Sequence, residues 1–259
     1  MSWRKYLLIP RLALAGLRPA RASGPAWDAY WAGIGRTGEG GDVLWDTADE
    51  AELAWLVELS RRHLDPALAV VDVGCGNGRQ SRALAAHFPA VVGVDAAPAA
   101  VERARAETGP GPGPTFRVLD LTTPGAVDAL ADLAPANVFI RGVLHILTPA
   151  ERVRLVASLP AVLGDRGVLL LVETAYPGGD LDLLEHYGAR AGRLPPQLAR
   201  LIDAGTPRPS YFGTEELDRY LPSPPWTRLA SGPAELRVIG ARMPAYHAAL
   251  RHEPARATS

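Results

Sequence analysis

Apolar and polar positions fall into a regular alternation between residues 47 and 175. Thr47-Ala48-Asp49-Glu50 reads as a capping box, with Thr47 as N-cap and Glu50 three positions on. It predicts a helix to about His63 with Leu53, Leu56, Val57 and Leu59 toward the core. The run from Ala69 to Val73, closed by Gly74, has no polar face and predicts a strand covered on both sides, as in a parallel sheet. Helical patterns follow at 79–87 and 99–107, and strand patterns at 90–94, 115–119 and 137–140. Residues 109–114 alternate Gly and Pro and suit neither element. A helix is expected from Pro149 to Leu163, bracketed by Gly164 and Gly167, and then a strand over 168–173. Strict strand–helix alternation predicts a doubly wound α/β sheet.

The flanks are less regular. Residues 6–17 are mostly apolar, but Pro10 and Arg11 interrupt them, so they read as a short amphipathic helix instead of a signal peptide. Residues 25–45 combine glycines with Trp27, Tyr30, Trp31 and Trp45, a composition suited to an aromatic lid over a pocket. Beyond Thr174, short helices are expected at 180–187, 197–202 and 214–220, the last with Thr214 as N-cap. A closing hairpin, 226–230 with 235–241, would turn at Ser231-Gly232-Pro233. The expected organisation is an arm and lid over 1–46 and a main domain over 47–251, with a substrate-cap insertion at 175–213 and a disordered tail at 252–259.

A chain of 259 residues can bury a core without disulfides. Cys75 is the single cysteine, which excludes an internal disulfide and fits a reducing, cytoplasmic setting. A net charge of −1 lacks the basic balance that nucleic-acid binding requires. No apolar run reaches the roughly 18 residues of a membrane span, so stable insertion is not expected. No His/Cys/Asp/Glu spacing suggests a metal site, and no G-x-S-x-G suggests a hydrolase. The oligomeric state stays open, a homodimer included.

The most informative segment is Val70-Val71-Asp72-Val73-Gly74-Cys75-Gly76-Asn77-Gly78. A glycine-rich turn leaves a buried strand and opens a helix, where backbone N–H groups face a ligand. Asp95 ends the next strand 21 residues after Gly74, the place of a ribose-binding acid. The glycines fall at 74, 76 and 78 with Arg at 79, so the G-x-G-x-x-G of dinucleotide sites is absent. Cys75 reads as a small filler in the loop, not a nucleophile.

These residues resemble the first motif of class I S-adenosylmethionine-dependent methyltransferases of the bacterial small-molecule type. Gly93-Val94-Asp95 resembles the family's second acidic motif, and Val118-Leu119-Asp120-Leu121 its adenine-framing strand end. The resemblance implies a Rossmann-like, mostly parallel seven-stranded sheet with helices on both faces, and S-adenosylmethionine as cofactor with S-adenosylhomocysteine as product. It implies that Gly74, Gly76 and Gly78 line the methionine and ribose and that Asp72 holds the ammonium through water. Asp95 would take the ribose hydroxyls and Asp120 the adenine amine, with Ala96 and Leu121 packing on the ring. Two positions depart from the family. Asn137 stands where the fourth strand often begins with Asp. Arg141 stands where relatives carry something smaller, and it could meet the cofactor carboxylate, an anionic substrate or an ion-pair partner.

Methyl transfer needs proximity and, for a protonated acceptor, a base. His145 in Gly142-Val143-Leu144-His145 follows strand four, where small-molecule O-methyltransferases of the resembled kind carry a catalytic histidine. Tyr30, Trp31, Trp45, Tyr176, His186, Tyr211 and Phe212 are the candidate substrate wall, with Tyr187 and Trp226 nearby. The expected activity is methylation of an oxygen or carbon of a hydrophobic small molecule, in bacterial secondary metabolism. The alternatives are a non-methylating reaction on the same fold, such as a cyclisation or rearrangement, and a non-catalytic binding protein.

Overall fold

The structure is a computed structural model that describes residues 23–47, 49–190 and 193–253. The expected helix at 6–17 and most of the expected tail, 254–259, lie outside the described residues. Helix α1 (Ser23–Ala32) and a glycine-rich loop lead into α2 (Glu50–His63). Then follow β1 (Val70–Val73), α3 (Arg79–Leu84), β2 (Val91–Asp95), α4 (Pro98–Thr108), β3 (Thr115–Val118) and β4 (Asn137–Arg141). The chain continues through α5 (Pro149–Leu163), β5 (Val168–Thr174), α6 (Asp180–His186), α7 (Pro196–Ala204) and α8 (Thr214–Tyr220). It ends in β6 (Trp226–Val238) and β7 (Ala241–His252).

The sheet has seven strands in the order β3-β2-β1-β4-β5-β7-β6. The first five pair in parallel and β7 joins antiparallel to β5. Every residue of β1 and β5 is buried, because helices cover both faces. The order reverses between β1 and β4, which places a ligand crevice at their carboxyl ends. Asn137 pins the start of β4. Its Oδ1 accepts from Asp65 N at 3.1 Å and its Nδ2 donates to Asp65 O at 2.8 Å. Aspartate could not make the second bond, which accounts for the amide here.

Four expectations are corrected. The cap of α2 is Asp49, which accepts from Glu52 N at 2.9 Å, and not Thr47. Asp49-x-x-Glu52 overlaps Thr47-x-x-Glu50, and the later pattern prevails. The cap of α8 is Gly213, one residue before Thr214. The hairpin turns at residues 239–240, so Ser231-Gly232-Pro233 lies inside β6. β6 is the sheet edge, where a proline without an N–H is tolerated. His252 ends β7 in ring contact with Trp226, 5.0 Å between centroids, and is not part of a tail.

Candidate active site

Two segments meet where the strand order reverses: the β1–α3 loop, 74–78, and the stretch after β4, 141–147. Between them opens a cavity of about 610 Å³. Gly74 (φ +72°) and Gly76 (φ +54°) shape the first segment. A Cβ on Gly74 would stand 2.3 Å from Val143 Cγ2, and one on Gly76 would stand 2.8 Å from Trp31 Cζ2. Both positions therefore require glycine. Gly74→Ala is expected to lower stability by about 1–3 kcal/mol through backbone strain and overpacking. Chemical denaturation measures this, and an unchanged midpoint contradicts it. Gly78 packs behind the loop against Phe116 and does not border the cavity.

Cys75 is buried in a small cluster with Val101, Ala104 and Phe116. Burial, and then the Asp72 and Asp95 carboxylates, hold its thiol well above the ordinary value. Such a thiol is a poor nucleophile.

The carboxylates differ in placement. Asp72 lies beneath the floor, 2.5 Å from Ser81 Oγ, and burial pushes its pKa up to about 7. Asp95 borders the cavity and accepts from Gly76 N at 3.0 Å and Ala97 N at 2.9 Å, one bond to each oxygen. Each oxygen keeps a second lone pair. Burial raises the Asp95 pKa against the opposing pull of those N–H groups. Asp120 is turned by bonds from Thr122 N at 2.8 Å and Thr122 Oγ1 at 2.7 Å, both to Oδ1. Ala96 and Leu121 complete this end of the cavity.

His145 borders the cavity with its side chain 10% exposed. Its Nδ1 lies 2.7 Å from Glu173 Oε2, and Glu173 is fully buried at the end of β5. Glu173 also accepts from the backbone N–H groups of Val143 (3.0 Å), Leu144 (2.9 Å) and His145 (3.1 Å). A carboxylate so placed fixes the Nδ1–H tautomer and leaves Nε2 as the ring's acceptor. Arg152 fastens the same turn by donating to Leu144 O at 2.7 Å and to Ser210 Oγ. The sequence reading missed Glu173. Its one signal is an acid ending an otherwise apolar strand run.

Arg141 also borders the cavity, with Nη2 2.5 Å from Glu52 Oε1. Trp27, Trp31 and Trp45 roof it. Buried Asp46 ties this roof to the glycine loop by accepting from Asn77 Nδ2 at 2.9 Å and Gly38 N at 3.0 Å.

Five expected substrate residues lie elsewhere. Tyr30 is 2% exposed, packed among Trp27, Trp31 and Trp45. Burial drives its phenol above the ordinary range. Tyr176 and His186 pack on each other at 5.0 Å, and His186 Nε2 donates to Arg242 O at 2.6 Å. Tyr211 is surface-exposed. Phe212 is fully buried, stacked on Tyr220 beneath the Arg152 guanidinium. The apolar lining comes instead from Leu183, Leu184, Tyr187, Leu198, Leu201 and Met243.

The family model described as a methyltransferase domain matches residues 70–167. Among solved structures, the chain is similar to an S-adenosylmethionine-dependent methyltransferase from Anabaena variabilis. The two are 28% identical over 91% of this chain and 97% of the other, with a TM-score of 0.76. It shares its fold with a protein whose structure is described under conversion of a disulfide into a thioacetal during echinomycin biosynthesis. There the identity is 19%, the coverage 88% of this chain and 91% of that one, and the TM-score 0.64. A methyltransferase from Methanosarcina mazei, 19% identical over 75% of this chain and 97% of its own, has a TM-score of 0.57. No curated protein sequence matches. Residues 70–167 thus match a methyltransferase domain, and the chain is similar over most of its length to the S-adenosylmethionine-dependent methyltransferase from Anabaena. Among the described residues no helix is long and apolar enough to cross a membrane.

Proposed function

We propose that this chain methylates an oxygen or carbon atom of a hydrophobic small molecule, in secondary metabolism, with His145 as general base. The observation that carries the reading is His145, locked by Glu173 on the wall of the cavity that Asp95 and Asp120 also border. The chain's residues fit the cofactor. Asp95 offers a spare lone pair on each oxygen toward the ribose hydroxyls, and Asp120 accepts from the adenine amine. Gly74 and Gly76 let the ligand approach the main chain. When bound, S-adenosylmethionine supplies a sulfonium-activated methyl group. His145 Nε2 takes the proton of an acceptor hydroxyl, and Glu173 stabilises the imidazolium that results. The tryptophan roof excludes water.

The test is incubation with methyl-labelled S-adenosylmethionine and a panel of hydrophobic phenols, enols and acids. Labelled product in stoichiometric amount with S-adenosylhomocysteine supports the reading. Cofactor binding without transfer across the panel favours a non-methylating reaction.

Asp72 predicts a pH dependence. Its folded pKa, about 7, lies above the ordinary carboxylate value of 3.8. The native state therefore holds this proton more tightly than the unfolded chain does. The contribution to stability is fully present below the unfolded value and is lost as pH rises through 7. An ionised Asp72 attracts the cofactor ammonium, so S-adenosylhomocysteine should bind more tightly at pH 8 than at pH 6. Asp72→Asn should flatten that difference in calorimetric titrations, and a slope unchanged by the substitution contradicts the assignment.

A further inference from the structure

Among the described residues, Arg79, Arg141 and Arg208 are the arginines that border the cavity. Arg79 is occupied by Asp46, Glu50 and the carbonyl of Asp49. Arg208 pairs with Asp180 in the open. Arg141 is different. Its side chain is 8% exposed, and its Nε is buried with no partner among the described residues. Glu52 engages only one nitrogen of the guanidinium. Its Oε1 faces Arg141 Nη2, and its Oε2 accepts from the Arg237 backbone N–H. The guanidinium is therefore only partly satisfied, and a cavity ligand that brings an acceptor to the edge bordering the cavity gains a charge-assisted hydrogen bond.

Place decides which ligand. Asp95 and Asp120 mark the adenosine end, on β2 and just past β3. Arg141 ends β4, on the far side of β1, beside elements that follow β5. Tyr187, just past α6, feels the Arg141 charge, which opposes the rise that burial imposes on its phenol. Glu52 binds the backbone next to Leu236, which lines the cavity with Val238 and Met243. The surroundings are thus an apolar chamber with one buried cation in its wall.

We propose that Arg141 receives the acid group of the methyl acceptor, which is therefore a hydrophobic carboxylic acid. The inference rests on the methyl-transfer reading of this cavity. A carboxylate on the cavity-facing edge of the Arg141 guanidinium forms a charge-assisted hydrogen bond in a dry site, while the acceptor's apolar body fills the chamber beneath the tryptophans. The methionine carboxylate of the cofactor has the same chemistry, and the experiment separates the two.

The probes are matched pairs: 2-naphthoate with 2-naphthalenemethanol, and decanoate with decanol. Each is titrated calorimetrically into the full-length protein, with and without S-adenosylhomocysteine. The acids are expected to bind at least about tenfold more tightly than the alcohols. Arg141→Met strands the Glu52 carboxylate, so the double variant Arg141→Met/Glu52→Gln, which removes both charges together, carries the measurement if the single one does not fold. It should lose the acid preference and keep S-adenosylhomocysteine affinity within about threefold. Arg141→Lys should keep part of the preference. Acids that bind no better than alcohols across the series overturn the proposal, as does a preference that survives the double variant. Loss of S-adenosylhomocysteine affinity with the acid preference intact assigns Arg141 to the cofactor instead. Failure of the wild type to bind S-adenosylhomocysteine, with acids still preferred, sinks the methyl-transfer reading and leaves the anion site standing.

Discussion

Replacing Asp95 with alanine is expected to weaken S-adenosylhomocysteine binding by about 10²–10⁴-fold. Two hydrogen bonds from ribose hydroxyls to a carboxylate contribute about 1.5–3 kcal/mol each, and roughly 1.4 kcal/mol is a factor of ten. The side chain is already held for the task. Gly76 N and Ala97 N each take one lone pair, which fixes the carboxylate plane and leaves two acceptors free. Alanine also frees the glycine loop from that tether, so some of the loss reflects loop disorder. Asp95→Asn separates the effects, because it keeps the shape and one acceptor. An intermediate loss, about tenfold, is expected for it. Affinity unchanged in both variants would remove Asp95 from the ribose site.

The second large effect is on turnover. His145→Ala is expected to lower kcat by about 10²–10⁴-fold, the usual contribution of a general base. Cofactor affinity should stay near wild type, since His145 supports no group at the adenosine end. Imidazole added to the buffer should restore part of the activity by entering the vacated space, which a structural histidine would not show. Glu173 acts through His145 as a positioning residue. Glu173→Gln keeps the volume but offers an amide where the turn requires acceptors, so kcat should fall with little change in cofactor affinity. Glu173→Ala leaves three backbone N–H groups and the imidazole without their acceptor. It is expected to cost on the order of 3–5 kcal/mol of stability. A His145→Ala enzyme of full activity would end the general-base role.

How much was legible in sequence follows from how local each signal is. Helix α5 begins and ends where expected because Thr148 caps it, Glu151 reciprocates and Gly164 stops it, all within one stretch of chain. The β1 strand and its glycine loop are equally local. The closing hairpin misled because Ser231-Gly232-Pro233 has turn chemistry, while its position on the sheet edge removes the need for a proline N–H. Asp49 and Thr47 compete for the same helix start, and only packing decides between them. Packing turns Glu52 inward to meet Arg141, 89 residues away. Glu173 was illegible for the same reason, standing 28 residues from His145 and meeting it only across adjacent strands. Aromatic composition located the roof but not its division of labour, since Trp31 and Trp45 face the cavity and Tyr30 is buried among them.

One measurement tests the central claim most directly: calorimetric titration of S-adenosylhomocysteine into the wild-type chain beside Asp95→Ala. A class I methyltransferase site predicts one-to-one binding in the micromolar range for the wild type and a loss of at least about a hundredfold for the variant. No binding to the wild type at millimolar ligand, or equal binding to both proteins, would contradict it.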